Sequence, residues 1–534
     1  MARHDMHTVV RAFDDAVSRV PDAPFLDFTG DSFTYQEFER EVNRVAHGLR
    51  EAGVSKGDTV TTVLDNGPDG VIVWLAVNRL GAVSVPLNTA LKGEFLRHQI
   101  ADSSAKMLVA ESDYAERILA VEGGLPDAVT LLHRGSPPER EARRLRVAAL
   151  ADYRTDDTSP IRADVEPADL AALIYTAGTT GPSKGCMVSH NYMCNLARQV
   201  IDGAQRQRDE LHWNPLPLFH LNATASTVVA SMLLGAPASI ATRFSVSGFW
   251  PEIKRTGARI ATVLGSMLSL IGRMDDTTEM KECYGQLRVV RGSPFPPELQ
   301  QIWRERFGVA VPGSQSYGLT EASLVVSTPP GAGAPPGSSG RRNDDFEVQV
   351  ADDNDAVLDD GQTGEVVVRP RRPHIMFEGY WRRPEATLAV LRNVWFHTGD
   401  LGRFDAEGWF FFADRKKDYL RRRGENISSQ ELEHTMLQHP AVSEVAVHAV
   451  ASELTEDEVK LTVVLKPSAV LTEEELCRWT LDRLPYFAVP RYVEFRSELP
   501  KNPFGRVQKY LLREQGVTER TWDRENSEIQ VVKR

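Results

Sequence analysis

The sequence predicts an α/β protein that has a large N-terminal domain of mostly parallel sheets, an antiparallel β subdomain and a small α+β C-terminal domain. Its 534 residues exceed the length at which one hydrophobic core stops growing, so several packed units are expected. Short β-rich runs alternate with helical periodicity over about residues 58–317, which is typical of parallel sheets covered by helices. Further along, strands separated by turns give way to mixed helices and strands.

The parallel part of this prediction depends on five strand candidates and on the helical segments between them. In such folds, ligands bind at the carboxyl ends of the strands. The strand candidates are residues 58–64, 82–86, 106–110, 258–263 and 287–290, and the helical segments are residues 70–80, 95–101, 191–201 and 296–307.

The antiparallel unit and the C-terminal part follow in the chain. Residues 346–350 and 364–369 have the alternating side-chain pattern of strands. Residues 395–412 are predicted to fold back at the turn Asp405-Ala-Glu-Gly408. Ser428-Ser-Gln-Glu431 and Thr472-Glu-Glu-Glu475 are capping boxes that begin helices, the first reaching about Gln438. Residues 444–448 and 460–465 are strand candidates, whereas residues 518–534 are charged with little periodicity and should fray at the end.

The composition is that of an ordinary globular enzyme, with 42% hydrophobic and 25% charged residues. A formal net charge of -12 argues against a nucleic-acid or membrane-surface binder, because such affinity rests on a basic field. The four cysteines lack paired spacing and are expected to be reduced structural thiols. Without a signal-like start or an apolar run of membrane length, we expect a cytoplasmic protein, either a monomer or a homodimer.

A loop rich in glycine and hydroxyl residues, Tyr175-Thr-Ala-Gly-Thr-Thr-Gly-Pro-Ser-Lys-Gly185, follows an apolar run. Glycine lets the backbone approach a ligand closely, hydroxyls donate hydrogen bonds, and Lys184 is a compact cation suited to phosphate. The loop is not a Walker motif, because Gly185 rather than Ser or Thr follows the lysine. We predict a phosphate-binding loop whose main residues are Thr176, Gly178, Thr179, Thr180, Gly181 and Lys184.

Four later stretches complete a recognisable order and spacing. They are Ser316-Tyr-Gly-Leu-Thr-Glu321, Trp395-Phe-His-Thr-Gly-Asp400, Asp414-Arg-Lys-Lys-Asp-Tyr-Leu-Arg-Arg-Arg-Gly-Glu-Asn426 and Pro500-Lys-Asn-Pro-Phe-Gly-Arg506. Together with the loop, they resemble the adenylate-forming enzymes, which include acyl-CoA synthetases, luciferases and nonribosomal adenylation domains. Within that superfamily, Pro217-Leu-Phe-His-Leu-Asn-Ala223, Thr262-Val-Leu-Gly-Ser-Met267 and Arg421-Arg-Arg-Gly-Glu-Asn-Ile-Ser428 look most like the carnitine-CoA ligase-like branch.

The resemblance implies activation of a small carboxylic acid with ATP. The carboxylate attacks the α-phosphorus to give an acyl adenylate and pyrophosphate, and the thiol of CoA then displaces AMP. The loop would hold the β- and γ-phosphates, Thr320 would meet the α-phosphate, and Glu321 would ligate Mg²⁺. The implied nucleotide site also includes Tyr317 against adenine with Gly318 beside it, the segment Gly292, Ser293 and Pro294, and the ribose pair Asp400 and Arg415.

The resemblance also assigns an acyl pocket and a division into domains. His220 would position the substrate or gate the pocket, which Phe219, Gly265, Ser266 and Met267 would line together with Arg291, where a small residue is common. Residues 1–413 would form the adenylation core, with the β subdomain at about 320–413. Residues 414–420 would be a hinge centred on Lys417, and residues 421–534 would form a C-terminal domain that rotates between the two half-reactions.

One position departs from the family pattern. Arg506 stands where the family has a lysine that reaches the carboxylate and the α-phosphate, and arginine differs from lysine in reach and geometry. Lys501 and Lys509 are nearby candidates for a substitute role. The departure leaves open other acceptors or substrates, such as nitrite activated for arylamine diazotisation or a carrier-protein thiol. A non-catalytic nucleotide-binding relative is a further alternative, against which the intact Lys184, Thr320, Glu321, Asp400 and Arg415 argue.

Overall fold

A computed structural model describes residues 6–176, 182–293, 295–313, 316–328, 331–415, 419–452, 456–501 and 507–531, with Arg415 described by its backbone. The described residues form two seven-stranded sheets, an eight-stranded sheet and, towards the C-terminus, a two-stranded and a four-stranded sheet. Helices cover the seven-stranded sheets, so the predicted α/β class is confirmed.

One seven-stranded sheet carries the predicted phosphate loop at its edge. Its strands are parallel except for the last pair, in which Thr176 lies opposite Lys184 in antiparallel register. In sheet order the strands are Arg146–Ala149, Thr130–Arg134, Met107–Glu111, Thr59–Val63, Val83–Pro86, Leu170–Thr176 and Lys184–Ser189, and the helices Pro68–Arg79, Gly93–Ser103 and Ser112–Val121 cross between them. The strands predicted at residues 58–64, 82–86 and 106–110 are therefore confirmed.

The other seven-stranded sheet confirms the strands predicted at residues 258–263 and 287–290 and includes five strands that the sequence did not predict. Pro24–Phe28 forms a hairpin with Asp31–Thr34 and pairs in parallel with Ala238–Ile240, far later in the chain, so no local pattern marks the parallel pairing. In order the strands are Val311–Pro312, Val289–Arg291, Ile260–Thr262, His212–Asn214, Ala238–Ile240, Pro24–Phe28 and Asp31–Thr34, and the helices Phe249–Thr256, Gly265–Arg273, Thr278–Glu282 and Pro297–Phe307 accompany them.

Further helices pack around these sheets, because their apolar faces need cover. The helix Tyr35–Glu51 begins at a capping box in which Thr34 and Glu37 exchange hydrogen bonds. Most residues of the helix His190–Ala204 are buried. The remaining members are the helix Val9–Arg19 and a continuous helical segment made of Leu221–Ala223, the π-helix Thr224–Val229 and Ala230–Leu234.

The eight-stranded sheet is the predicted antiparallel unit. The turn at Asp405 to Gly408 is formed as expected, because the Asp405 carboxylate accepts a hydrogen bond from the Trp409 amide at 2.7 Å. In order the strands are Ser316–Leu319, Ser323–Ser327, Gly340–Arg342, Trp409–Arg415, Trp395–Phe404, Gly364–Pro370 and Phe346–Ala351, with Leu391–Arg392 beside Trp395–Phe404 and the helix Pro384–Val390 before it.

The C-terminal part is α+β, as the sequence predicts. The capping box of Thr472 and Glu475 is complete, and the Ser428 hydroxyl accepts from the Glu431 amide at 3.3 Å. In the charged stretch after Thr518, Trp522–Asp523 adds an edge strand against Tyr492–Phe495 that the sequence did not predict, whereas the predicted fraying concerns the end of the chain, where residues 532–534 lie outside the described ranges. The elements are the hairpin strands Tyr419–Arg422 and Glu425–Ser428, the sheet strands Val442–Ala451, Asp457–Leu465, Tyr492–Phe495 and Trp522–Asp523, and the helices Ser429–Met436, Glu473–Thr480 and Lys509–Gln515.

All four cysteines are buried and free, in agreement with their prediction as structural thiols. A search of the described residues finds no helix whose length and apolar character would let it cross a bilayer.

Candidate active site

A cleft of about 1280 Å³ brings together side chains from every sheet region and from the C-terminal part. Many of the predicted site residues meet in its wall although they are far apart in sequence. Those that line it are Thr176, Lys184, Phe219, His220, Met267, Gly318, Thr320, Glu321 and Asp400. The predicted residues that line it thus come from each of the implied subsites, for phosphate, ribose and acyl group.

The carboxylate of Glu321 is the polar centre of one end of the cleft. Tyr380 donates its hydroxyl to Oε1 at 2.9 Å, and the Thr176 hydroxyl lies 3.5 Å from the same oxygen. The Lys184 ammonium lies 5.1 Å from the centre of the Tyr380 ring, within the range of a cation–π contact. The strand pair that sets Thr176 opposite Lys184 therefore places Thr176 beside this carboxylate and Lys184 over the ring of Tyr380, which contacts it.

Protein atoms surround Glu321 closely, and this changes its acidity. Burial raises the pKa of the carboxyl above its ordinary value, the hydrogen bond from Tyr380 acts in the opposite direction, and the negative charge of Asp400 adds to the rise. A carboxylate that is costly to ionise gains from a nearby cation. Glu321 is thus a group that a bound cation would stabilise in its charged form.

The donor set around Glu321 fits a magnesium ion. Mg²⁺ prefers oxygen ligands, and it commonly takes one or two carboxylates while waters and substrate phosphates complete its shell. Within the described ranges no group of three or more His, Cys, Asp and Glu residues is placed to hold a metal ion. A single carboxylate beside hydroxyl groups is therefore suited to a metal that arrives with phosphate, and less suited to a metal held by protein ligands alone.

Tyr192 fixes the backbone that carries Thr320 and Glu321. It is fully buried in the helix His190–Ala204, and its hydroxyl donates to the Thr320 carbonyl at 2.8 Å while it accepts from the Ser323 amide at 2.9 Å. The Phe377 amide donates to the Glu321 carbonyl at 2.8 Å. These bonds hold the turn after the strand Ser316–Leu319 in one conformation.

The implied ribose pair lies on adjacent strands. Asp400 is opposite Arg415 in the antiparallel register of Trp395–Phe404 and Trp409–Arg415. Tyr317 donates its hydroxyl to Asp400 Oδ2 at 2.8 Å, and its ring centre lies 5.1 Å from that of Phe410. Asp400 lines the cleft, whereas Tyr317 is not among the lining residues. The structure thus joins Tyr317 and Asp400 directly, a contact that the motifs did not indicate.

The end of the cleft that the resemblance implies for the acyl group, here called the acyl end, is lined by Phe219, His220, Leu264 and Met267. The rings of Phe219 and His220 are 4.7 Å apart, and the His220 side chain is 39% exposed. Gly265 begins a helix and is buried. Gly265 and Ser266 are absent from the lining residues, so Leu264, which directly precedes the helix Gly265–Arg273, and Met267 within that helix form this wall.

The segment after the strand Val289–Arg291 packs tightly beside that wall. A Cβ on Gly292 would lie 2.6 Å from the Val263 carbonyl oxygen, so glycine is required for the close approach of the two strands. The Ser293 carbonyl accepts from the Gly265 amide at 3.2 Å. Gly292 and Ser293 thus pack against residues next to that wall, and neither they nor Arg291 line the cleft.

The C-terminal hairpin closes one side of the cleft. Its turn residues Arg423 and Gly424 both have positive φ, at 54° and 80°, as a two-residue hairpin turn requires. A Cβ on Gly424 would lie 2.6 Å from a Leu264 methyl carbon, and Glu425 reaches His220 at 3.3 Å. Within the described residues, the C-terminal contribution to the cleft is Arg421, Arg423, Gly424, Glu425 and Tyr486.

Several predicted site residues are outside the described ranges. These are Gly178, Thr179, Thr180, Gly181, Pro294, the hinge residue Lys417 and Arg506. The two lysines proposed as substitutes for Arg506 make contacts inside the C-terminal part. Lys501 lies 2.6 Å from Glu444, and Lys509 lies 2.8 Å from Glu433.

Sequence reasoning missed Tyr380, Tyr192 and Glu425. Tyr192 lies in a helix that was predicted from its apolar periodicity. That pattern does not distinguish a tyrosine whose hydroxyl makes hydrogen bonds from one whose ring only packs in the core. Tyr380 lies in a loop after a strand and meets Glu321 through tertiary structure. Glu425 belongs to a quoted motif, but its contact with His220 depends on how the two domains are arranged.

The fold and this cleft define an adenylate-forming enzyme, and comparison with known proteins agrees. The chain belongs to the family of AMP-binding enzymes, because the model of that family matches residues 13–381 and the model of the AMP-binding enzyme C-terminal domain matches residues 431–506. The predicted superfamily is thereby confirmed, and the chain is an AMP-forming ligase.

Individual relatives are more distant. The crotonobetaine/carnitine–CoA ligase of Salmonella arizonae is 28% identical over 486 residues, which cover 90% of this chain and 93% of that protein. The amide bond synthetase McbA of Marinactinospora thermotolerans is 26% identical with a TM-score of 0.82, over 95% of this chain and 99% of that one. ATP-bound MatB of Rhodopseudomonas palustris is 26% identical with a TM-score of 0.68, over the same shares.

Proposed function

We propose that this protein uses ATP to activate a carboxylic acid as an acyl adenylate, releases pyrophosphate, and transfers the acyl group to the thiol of CoA. The observation that carries the proposal is the convergence of Thr176, Lys184, Glu321 and Asp400 on one cleft that Phe219, Leu264 and Met267 also line. Positioning and charge neutralisation are what attack at phosphorus needs, since the reaction requires little covalent chemistry from the protein.

At the polar end, the residues of this chain would bind and orient the triphosphate. Lys184 supplies a cation and Thr176 a hydroxyl donor, and both are fixed by the hairpin that pairs them. Glu321 would ligate Mg²⁺, which when bound neutralises charge on the phosphates. The backbone of Thr320 is held by Tyr192, so the hydroxyl of Thr320 is presented from a rigid turn towards the α-phosphate.

At the ribose, Asp400 would accept hydrogen bonds from the sugar hydroxyls, because it lines the cleft and is held by Tyr317. Arg415 is the proposed partner on the adjacent strand. The acid would lie between Phe219, His220 and Met267, with its carboxylate directed towards Thr320. This places the carboxylate and the α-phosphorus in the same part of the cleft.

Two observations support CoA as the acceptor. One is the hairpin at the mouth of the cleft, and the other is that relatives are named as CoA ligases. Arg421 and Arg423 line the cleft, and arginines there would suit the phosphate groups of CoA. We further propose that residues 421–534 move as a unit about residues 414–420, so that the hairpin and Arg506 approach the cleft in different half-reactions.

The proposal is tested by pyrophosphate release with a panel of aliphatic and aromatic acids, with and without CoA, in wild type and in Lys184→Ala. We expect acid-dependent release in the wild type, with a CoA thioester detected by mass spectrometry, and a large loss in the variant. If no acid stimulates release under any condition, the proposed function is wrong.

Other acceptors remain as a second candidate function. The likeness to an amide bond synthetase over 95% of this chain favours an amine in place of the thiol. The same assay separates the possibilities, since pyrophosphate release that needs an amine and yields an amide would replace the CoA step alone. Release that needs a carrier-protein thiol would do the same, whereas release that needs nitrite with an arylamine would replace the carboxylic acid as the activated substrate as well.

A further inference from the structure

The helical segment that follows His220 brings two polar side chains to the wall of the cleft, those of Asn222 and Ser226. Asn222 lies in the turn that is closed by the bond from the Ala223 amide to the His220 carbonyl at 3.2 Å, so it borders the acyl end. Ser226 is four residues further on, a spacing that puts both residues on one face of a helix. The segment is π-helical over Thr224–Val229, and such turns occur frequently at functional sites.

A buried neighbour fixes the orientation of the Asn222 amide. Asn214 is fully buried, and its Oδ1 accepts from the Leu216 amide at 2.8 Å, so its Nδ2 is the donor to the groups on its other side. That nitrogen donates to the Thr227 hydroxyl at 2.9 Å and to Asn222 Oδ1 at 3.1 Å. Asn222 therefore turns its oxygen towards the protein, and its NH2 group is left for another partner.

The NH2 group of Asn222 donates to no residue that the structure describes, and Asn222 is exposed in the wall of the cleft. The Ser226 hydroxyl also has no hydrogen-bond partner within the described ranges, although Ser226 is only 8% exposed. Donors that a bound ligand removes from water need a partner in that ligand, because an unpaired polar group is costly to bury. A substrate bound against this wall should therefore offer a hydrogen-bond acceptor.

The other groups of this wall are apolar or already paired. Leu196 and Leu221 belong to one hydrophobic cluster and also line the cleft. Tyr192 lines it too, but its hydroxyl makes both of its bonds inside the protein, and Glu425 contacts His220. Uncharged donors in an apolar wall suit an uncharged acceptor, since a charge buried there would lack a counter-charge. This favours a hydroxyl or carbonyl oxygen over a second carboxylate or a quaternary ammonium group.

We propose that the acyl group of the substrate carries an uncharged oxygen that accepts a hydrogen bond from Asn222 Nδ2. The substrate class is thus a hydroxy or oxo acid, and Asn222 is the residue that determines this specificity. The inference rests on the proposed function. A hydroxyl oxygen can accept from Asn222 and donate to Ser226, whereas a carbonyl oxygen can accept from both.

The test compares acids that carry such an oxygen with analogues that carry a methyl group in its place. The pairs are 3-hydroxybutanoate with 3-methylbutanoate, 4-oxopentanoate with 4-methylpentanoate, 3-hydroxybenzoate with 3-methylbenzoate, and 4-hydroxybenzoate with 4-methylbenzoate. One measurement is kcat/KM for pyrophosphate release. The other is calorimetric binding of the corresponding acyl sulfamoyl adenosines, which needs no turnover.

Two variants of Asn222 are compared with wild type. Asn222→Leu removes the donor at similar volume. Asn222→Asp keeps the oxygen that accepts from Asn214 and replaces the NH2 donor with an acceptor. The matched control is Asn354→Leu, which changes an exposed asparagine that does not line the cleft.

In at least one pair, we expect wild type to favour the oxygen-bearing acid and Asn222→Leu to reduce that preference about tenfold, the value of one hydrogen bond. Asn222→Asp should weaken use of the oxo acid more than use of the hydroxy acids, because a hydroxyl can donate to the new carboxylate. Asn354→Leu should keep the preference, and the KM for ATP should not change. A preference for the methyl analogue in every pair, or a ratio that neither Asn222 variant changes, overturns the inference alone.

Two further outcomes separate this inference from its basis. If no acid releases pyrophosphate and no analogue binds, the proposed function fails and the inference falls with it. Thermal unfolding provides the structural control, because Asn222→Leu also removes one acceptor from the buried Asn214. If its Tm falls markedly, Asn222→Asp decides the question, and equal effects of that variant on oxo and hydroxy acids would show that Asn222 does not contact the oxygen.

Discussion

The imidazole Nε2 of His220 lies 3.3 Å from Glu425 Oε1, so a side chain of the C-terminal hairpin meets the acyl end of the cleft. Glu425 follows a tight turn in which Gly424 packs against Leu264, where a Cβ would lie 2.6 Å from a methyl carbon. Ser266 and Glu456 make a second contact between the two parts, at 3.4 Å. Among the described residues, the hairpin therefore lines the cleft, whereas Lys501 and Lys509 do not.

Glu425→Gln should separate the two half-reactions. The substitution keeps the shape of the side chain and weakens its contact with His220, so we expect acyl transfer from supplied acyl adenylate to CoA to slow about tenfold. Pyrophosphate release in a single turnover should change less than about twofold, because the phosphate end of the cleft is untouched. Glu474→Gln, which changes an exposed carboxylate of the same domain, is the control. Equal losses in both steps would contradict the prediction.

Arg506→Ala should affect the two half-reactions in the opposite way, with the larger loss in adenylate formation. The residue replaces the family lysine that meets the carboxylate and the α-phosphate, so its loss should slow adenylate formation about 100-fold and leave thioester formation from supplied adenylate nearly unchanged. Both steps are measured by rapid quench. Lys501→Ala is the matched comparison, since Lys501 forms an ion pair with Glu444 at 2.6 Å. If Lys501→Ala has the larger effect on adenylation, the substitute role belongs to that lysine.

Glu321→Gln should trade activity for stability. Burial raises the pKa of this carboxyl above its ordinary value of 4.5, so its ionised form costs stability at neutral pH. That cost is fully present above the folded-state pKa and vanishes as the pH falls below the unfolded value. We therefore expect Tm of the variant to exceed that of wild type by roughly 2 °C at pH 8, and the two to converge near pH 4.

Pyrophosphate release by the same variant should fall at least about 100-fold, because a neutral amide does not replace a carboxylate as a magnesium ligand. The control is Glu378→Gln, an exposed carboxylate that pairs with His374 at 2.8 Å. A variant with a lower Tm than wild type at pH 8, or with near-normal pyrophosphate release, would show that Glu321 is structural.

The sequence predicted the parallel sheets because their strands are short apolar runs between amphipathic helices, a pattern that is local. It did not predict Pro24–Phe28 as part of the second sheet, because the parallel partner Ala238–Ile240 is remote in sequence. The order at Trp522–Asp523 was missed for the same reason, since that strand depends on Tyr492–Phe495 for its pairing. A strand that is stabilised by segments remote in sequence has no local sequence pattern from which it can be predicted.

The site divides in the same way. Thr176, Lys184, Thr320 and Glu321 belong to motifs, and the structure brings them to one cleft. Tyr380 and Tyr192, which hold Glu321 and the Thr320 backbone, come from segments whose local pattern serves packing.

Tyr380→Phe should shift the acid limb of the pH–rate profile. The hydroxyl of Tyr380 donates to Glu321 at 2.9 Å and lowers the pKa of that carboxyl, so removing it should raise the pKa further. The ring remains in place beneath Lys184. We expect the acid limb of pyrophosphate release to move to higher pH, with a loss of roughly threefold to tenfold at pH 7. In the control Tyr175→Phe, which removes a hydrogen bond to Asp102, the limb should not move.

Gly318→Ala should disturb the turn that carries Thr320 and Glu321. Gly318 lies at a bulge between paired strands, and a Cβ there would stand 2.1 Å from the Ser323 carbonyl oxygen, an overlap that only backbone movement relieves. We expect a loss of about 2–4 kcal/mol in the free energy of unfolding and a severe loss of pyrophosphate release. Gly333→Ala is the matched control, since a Cβ there meets no atom within 4 Å. Its stability should stay within about 0.5 kcal/mol of wild type. A Gly318→Ala variant with the stability and activity of this control would mean that the turn tolerates a side chain, and that the Tyr192 contacts do not hold Thr320 and Glu321 as tightly as the distances indicate.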